Sequence, residues 1–279
     1  MIIDYDEQYA QDVSRLLKDN TARLVWGNNA EKTVVAITSG KVVGVASLYT
    51  NEIHPNRDYI GVYVDTVYRR QGLGTDLVNE LKEKTDTSDF QAAISSKNKE
   101  GTLFLKSLEF KLARKCYTPD LKKVSATRST VVKGVVRSVE QVDETVKVQL
   151  VSLQLENYKL THKAINPLNE TISVISWRNL IFEELDQRQS MLLIANNRIE
   201  AYILCYGIED NDEIEIGYIG GRESEAIKSY LPFYTKVIDG LISQYNTVSI
   251  EADTVDPFAY AAVNCYEYDP GESLDTYVT

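Results

Sequence analysis

Apolar and polar positions along this 279-residue chain follow two rhythms, one of period two and one near 3.6, and the switches between them delimit the elements. "IIDY" at 2–5 reads as a short strand. Asp6 is placed to cap a helix over 7–19, in which Ala10, Val13, Leu16 and Leu17 share one face. "KTVVAIT" and "KVVGVASLYT" are β-rich runs separated by Ser39 and Gly40, the spacing of a two-residue hairpin turn. In "DYIGVYVDT", residues 58–66, Ile60, Val62 and Val64 face one way, Tyr59, Tyr63 and Asp65 the other, and Gly61 weakens the middle. Leu73, Leu77 and Leu81 then recur four apart with Val78 beside them, which predicts a helix over 72–85 with Glu80 and Lys84 paired on its wet side. "FQAAISS" reads as a strand, "KEGTLFLKSL" as a short helix and "FKLARKCYT" as a strand.

Pro119 and the polar stretch "DLKKVSATRS" interrupt the pattern, so the expected organisation is a domain at 1–118, a linker at 119–129 and a second domain at 130–279. The second half starts over. "TVVKGVVRSV" reads as a strand, 140–163 as a long helix, 171–185 as helical, and "SMLLIANNRIEAYILCYG" as a hairpin turning on two asparagines. "DEIEIGYIG" follows as a strand, "LPFYTKVIDGLISQY" as a helix with Pro232 near its first turn, "TVSIEAD" as a strand, and a helix lies near 257–268. The order strand, helix, hairpin, strand, helix, strand, helix thus occurs twice. Repeated order without obvious residue identity points to duplication and divergence of one copy.

Composition narrows the function. Apolar residues at 43% and charged residues at 25% are enough to bury two cores. The net charge of −11 and a pI near 4.8 argue against a nucleic-acid binder, which needs an extended basic surface. The first residues, "MIIDYDEQYA", lack a basic region followed by an apolar run, and "MLLIA" falls far short of the roughly 20 residues that span a bilayer. A cytoplasmic protein without a membrane partner is expected. Cys116, Cys205 and Cys265 are widely separated with no CxxC, and His54 and His162 stand alone, so no disulfide framework and no metal centre is expected.

Against that acidic background, "YRRQGLGTDL" at 68–77 sets two arginines and two glycines before a helix. A helix start has unpartnered N–H groups and a partial positive charge, and glycines let an anion approach them without a Cβ in the way. The pattern GxxxxGK[ST] is absent. GxGxxG is only half met, because Leu77 stands at its third glycine and the preceding strand leaves a hairpin instead of opening a βαβ unit. A dinucleotide-binding protein is therefore a minor alternative.

With the strand before it and the helix after it, "VDTVYRRQGLGTDLV" resembles the acyl-CoA pyrophosphate loop of the GCN5-related N-acetyltransferase (GNAT) family, R/Q-x-x-G-x-G/A, filled by Arg69, Gly72 and Gly74. "NKEGTLFLKSLEF" is similar to that family's N-x-x-A-x-x-x-Y-x-x-x-G-F segment, with Asn98, Gly101 and Phe110 in register. The resemblance implies an α/β (α+β) fold of two tandem GNAT-like domains, each a mixed, mainly antiparallel sheet flanked by helices. It implies acetyl-CoA as cosubstrate, no metal, and transfer of the acetyl group to a primary amine of a small molecule or peptide. Backbone at Val62, Tyr63 and Val64 would contact the pantetheine, Arg69, Arg70, Gln71, Gly72, Leu73, Gly74 and Thr75 the pyrophosphate, and Asn98 the same cofactor. Asp58 stands where many members place a carboxylate base, with Glu52, His54 and Tyr63 as reserves.

Leu105 departs from the family, standing where the tyrosine that protonates the leaving thiolate is usual; Tyr117 is a substitute by proximity along the chain. The second half resembles the family more faintly: Ala262 and Tyr266 fit the tyrosine segment, but "GYIGGRESEA" has no R-x-x-G-x-G. That copy is expected to lack the cofactor and to shape the acceptor pocket or the interface between domains, with Gly220, Gly221 and Arg222 as a candidate vestigial anion site. A catalytically silent CoA-binding or interaction module is the competing reading, favoured by Leu105 and by the degenerate second copy. Neither the acceptor's identity nor the oligomeric state is encoded in any motif.

Overall fold

The computed structural model describes residues 1–17, 30–122, 131–207 and 212–279. Contacts divide it into two units: residues 1–113 with 165–169 and 276–279, and residues 114–164 with 170–275.

The first unit opens with β1 (Ile2–Asp4), a 3-10 turn at Glu7–Tyr9 and α1 (Ala10–Leu17). Asp6 caps the turn, its side chain accepting from the Gln8 N–H at 2.9 Å. The end of the predicted 7–19 helix, at 18 and 19, lies outside the described residues. β2 (Thr33–Thr38) and β3 (Lys41–Tyr49) pair antiparallel, joined by Ser39 at φ 52° and Gly40 at φ 75°. Two successive left-handed residues give the primed turn whose twist matches a hairpin. β4 (Asp58–Val64) pairs antiparallel with β3, and β5 (Phe90–Ser95) runs parallel to β4. The sheet order is β1-β2-β3-β4-β5, and α2 (Leu73–Lys82) and α3 (Lys99–Ser107) belong to this unit.

Alternation along β4 sends its side chains to two cores. Ile60, Val62 and Val64 pack with Leu77, Val78 and Leu81 of α2, whereas Tyr63 packs with Val13 of α1 and with Val35 and Val45. Lys84 lies beyond the last residue of α2 and pairs with Asp4 at 2.6 Å, not with Glu80. The helix stops too early to hold both on one face. Thr276–Thr279 also belong to this unit, where the Thr279 N–H donates to the Phe90 carbonyl at 3.1 Å and its hydroxyl accepts from the Phe90 N–H at 2.8 Å.

β6 (Lys111–Tyr117) carries the chain across the division at Ala113/Arg114. The second unit continues with β7 (Val135–Ser138), α4 (Glu144–His162) and α5 (Val174–Phe182). β8 (Met191–Ala195) and β9 (Arg198–Gly207) form the second hairpin, turning on Asn196 at φ 50° and Asn197 at φ 60°. β10 (Glu213–Gly221), α6 (Ile227–Ile242) and β11 (Thr247–Ile250) follow, and β10 and β11 are parallel in a sheet ordered β11-β10-β9-β8-β7. The chain closes with β12 (Ala252–Asp253), α7 (Pro257–Val263) and β13 (Leu274–Val278).

Each sheet is therefore mixed and mainly antiparallel, with one parallel pair. α6 begins about a turn before the predicted start, so that Pro232 lies inside it. Ile227, Tyr230 and Leu231 extend its buried stripe upstream, and that packing offsets the missing donor at the proline. α7 ends at Val263, short of the predicted 268. No helix among the described residues is long and apolar enough to cross a membrane.

Two stability predictions follow from helix ends. α3 stops in a six-to-one closure, Phe110 N–H to the Leu105 carbonyl at 3.1 Å, with Glu109 held at φ 66°. A side chain in that conformation costs about 1–2 kcal/mol and glycine returns about 0.4–1 kcal/mol of that as unfolded-chain entropy. Glu109→Gly is expected to stabilise the first unit by about 0.5–1 kcal/mol, read as a higher midpoint in thermal unfolding. At the start of α7, Asp256 accepts from the Phe258 N–H at 2.8 Å and the Ala259 N–H at 3.1 Å, yet burial pushes its carboxyl up to about 6. Its proton is held more tightly folded than unfolded, where the value is about 3.9. The stabilisation is full below about pH 4 and is lost as pH rises through the folded value. Asp256→Asn keeps the capping oxygen, so melts across pH should show that loss abolished and a higher midpoint at pH 7.

Candidate functional site

β4 and β5 are paired only at Asp58↔Phe90 and Tyr59↔Gln91. Beyond Tyr59 the two strands part, while β3 stays in register with β4 as far as Val64. The edge of β4 from Ile60 onward thus has no strand partner on the β5 side, and a cavity of about 370 Å³ opens there. Its lining includes Val62, Tyr63 and Val64 of β4, Arg69, Arg70, Gly72, Gly74 and Thr75 of the turn and α2, and Asn98. α3 adds Glu100, Gly101, Phe104 and Ser107.

The turn is built by short-range bonds. Asp65 caps a 3-10 turn at Thr66–Tyr68, accepting from the Val67 N–H at 3.1 Å. Arg70 at φ 60° and Gly72 at φ 88° then reverse the chain into α2. Gly72 occupies the capping position and has no side chain to accept from the first helical amides. The N–H groups at the start of α2 consequently have no side-chain cap, and they carry the positive end of the helix dipole. Gly74 is needed for a second reason. A Cβ there would stand 3.1 Å from the Phe104 ring of α3.

Arg69 is fixed from three sides. Its Nε donates to the Val64 carbonyl at 2.9 Å, its Nη1 meets Glu100 Oε2 at 2.7 Å, and its guanidinium carbon lies 5.5 Å from the centre of the Tyr63 ring. Arg70 is exposed and makes no ion pair among the described residues. A turn offering amides and two guanidinium groups to one cavity is an anion site in its chemistry. Asn98, which also lines the cavity, spends its side-chain oxygen on the Gly101 N–H at 2.8 Å, capping α3.

Gln71 and Leu73 belong to the turn but are not among the cavity-lining residues; the Gln71 amide donates to the Val67 carbonyl at 3.3 Å. Of the four candidate catalytic residues only Tyr63 lines the cavity. Asp58 is buried at the start of β4, accepting from the Thr85 hydroxyl at 2.6 Å with Lys32 at 3.7 Å. His54 is buried and its Nδ1 lies 2.7 Å from the Asn166 carbonyl, while Glu52 is exposed and its carbonyl accepts from Asn169 at 3.1 Å. Leu105 is buried in the core with Phe110, and the α3 face turned to the cavity is that of Phe104. Glu100, Phe104 and Ser107 escaped the sequence reading. Their spacing of four and three residues on one short helix was the available signal.

In the second unit Gly220 and Gly221, at the end of β10, are packed by rings. A Cβ on Gly220 would stand 2.2 Å from the Tyr202 hydroxyl and one on Gly221 2.5 Å from the Tyr230 ring. Tyr234 donates to the Gly220 carbonyl at 3.1 Å, and Arg222 Nη2 donates to the Ile199 carbonyl at 2.9 Å. Burial pushes the Tyr202 and Tyr234 phenols up, so both are neutral packing groups. Tyr266 likewise points inward, donating to the Thr235 carbonyl at 3.2 Å and to Asp239 at 3.0 Å.

The sequence profile of the Acetyltransferase (GNAT) family matches residues 2–108. No curated protein matches the chain's sequence significantly. Among solved structures, a GCN5-related N-acetyltransferase from Sphaerobacter thermophilus superposes with a TM-score of 0.58 at 13% identity, covering 100% of this chain and 95% of that one. Another, from Kribbella flavida, superposes with a TM-score of 0.53 at 17% identity, covering 100% of this chain and 70% of that one. Splayed strands and an uncapped helix start lie within residues 2–108, where the GNAT acetyltransferase profile matches, and the chain is similar to the GNAT fold along its whole length.

Proposed function

We propose that the protein is an acetyl-CoA-dependent N-acetyltransferase that binds its cosubstrate in the first unit alone. The observation that supports this most directly is the union, in one cavity, of an unpaired strand edge at Val62–Val64 with the uncapped amides of α2 and the guanidinium groups of Arg69 and Arg70. An acyl-pantetheine arm carries amides that can pair with a free strand edge, and a diphosphate suits the helix start. The dipole alone contributes only about 0.3–1 kcal/mol at an exposed site, so the arginines are needed to hold a doubly charged group.

The acceptor must react as a neutral amine. With an ammonium pKa near ~10.4, deprotonation at pH 7 costs about 4–5 kcal/mol. The amine lone pair forms the C–N bond at the thioester carbonyl, the C–S bond breaks, CoA leaves as thiolate and the amine proton passes to base or solvent. Asp58 is held by Thr85 and Lys32 and does not line the cavity, so Tyr63 is the candidate of the four that can touch the reacting atoms. With Leu105 in the core, the thiolate leaves without that helix's help, a step only about 2 kcal/mol uphill at pH 7 for a thiol pKa near ~8.5.

A CoA-binding module without turnover is the second reading, and the specific observation in its favour is that same absence of Asp58 and Leu105 from the lining.

Calorimetric titration with CoA is expected to show binding by the wild type and a loss of at least about tenfold in Arg69→Ala, the equivalent of ~1.4 kcal/mol. Gly74→Val should abolish binding by driving the Phe104 ring across the turn. Unchanged affinity in both variants would refute the assignment. Release of free thiol from acetyl-CoA with a panel of primary amines then separates an enzyme from a silent module, which binds and releases none.

A further inference from the structure

The second unit carries a group of side chains that the acetyl-transfer reading does not use. Cys116 of β6 and Asp253 of β12 face each other across an antiparallel pair, and Glu251 lies two residues before Asp253, between β11 and β12. One donor atom from each of Cys116, Glu251 and Asp253 lies within 4.8 Å of the other two. Arg114, two residues before Cys116, binds Asp253 through Oδ2.

Two further facts separate this group from an ordinary ion pair. Asp253 is 7% exposed, and its other oxygen, Oδ1, is buried without a hydrogen-bond partner. A buried carboxylate oxygen left unmatched is costly, whereas Oδ2 is satisfied, so the carboxylate is oriented by Arg114 with one donor open. The Cys116 sulfur, meanwhile, stands 3.5 Å from Glu251 Oε1. A zinc ion at ~2.3 Å from sulfur and ~2.0 Å from oxygen, at the tetrahedral angle, sets those two ligand atoms about 3.5 Å apart.

We propose that Cys116, Glu251 and Asp253 form a site for a divalent transition-metal ion of the zinc class, with Asp253 Oδ1 as the open oxygen ligand and Arg114 as the positioning residue on Oδ2. One thiolate with two carboxylates selects zinc, cobalt(II) or iron(II) over magnesium and calcium, which avoid sulfur, and over copper(I), which avoids carboxylate. Three protein ligands leave the fourth position to water. Half-buried Cys116 and exposed Glu251 give the ion a path from solvent. The spacing 116, 251 and 253 contains no metal motif, and only the pairing of β6 with β12 assembles it.

The test uses the full chain, reduced and stripped with chelator, titrated with cobalt(II). A near-ultraviolet sulfur-to-cobalt charge-transfer band saturating at one equivalent, displaced by zinc(II), is the expected result. Cys116→Ser should lose the band while Cys265→Ser keeps it. Arg114→Gln should keep the band with metal affinity weakened roughly 10–100-fold. Zinc should also raise the thermal midpoint of the wild type and not that of Cys116→Ser, with circular dichroism confirming that both are folded. No charge-transfer band in the wild type, or an equal band in Cys116→Ser, would overturn the site. CoA binding in the first unit is untouched by either result.

Discussion

The turn between β4 and α2 must begin a helix without any side chain to cap it, and much of the first unit is arranged around that requirement. Gly72 provides the left-handed geometry, and Arg70 shares it at φ 60° although it has a Cβ. The amides left over are costly to bury and favourable to present to an anion. Their neighbours keep them presentable. Arg69 is tied down by Val64, Glu100 and Tyr63, so its charge is already placed beside the helix start. Phe104 closes over Gly74, and the parting of β4 from β5 after Tyr59 keeps the approach open.

The second unit shows the same scaffold put to another use. β10 runs parallel to β11 only from Glu213 to Ile216, and the bulge between Ile216 and Tyr218 follows, so these strands also part. Here β10 is packed by rings from β9, α6 and α7. Tyr202, Tyr230 and Phe258 crowd the positions where Gly220 and Gly221 have no Cβ. The missing Cβ atoms leave room for these rings, and burying large aromatics favours this unit's stability.

Much of this was legible along the chain because it is local. The two hairpins rest on Ser39–Gly40 and Asn196–Asn197, residues that tolerate positive φ, and α2 rests on a four-residue leucine repeat. The turn at 69–75 is local in the same sense, since spacing alone brings its glycines and arginines together. Features set by distant pairing were not legible. Nothing in "LDTYV" near the carboxyl end marks its last residues as belonging with Phe90, and nothing in the sequence around Asp58, the candidate base, shows that Thr85 and Lys32 hold it. Pro232 reads as an opening signal for α6, whereas buried Tyr230 shows the packing stripe reaching past it.

An acidic chain with a local anion site raises a question of range. The net charge of −11 opposes the approach of a polyanion, but at physiological ionic strength the interaction of exposed charges is largely screened beyond about 8 Å. Within that distance the cavity holds two arginines and the start of α2, opposed by Glu100, which already spends its charge on Arg69. On the proposed reading a diphosphate at the turn would compete with Glu100 for the Arg69 guanidinium, whereas Arg70 makes no ion pair among the described residues. On the proposed reading the same screening applies to a protonated amine acceptor, which would be drawn only by the acidic groups within that distance of its path.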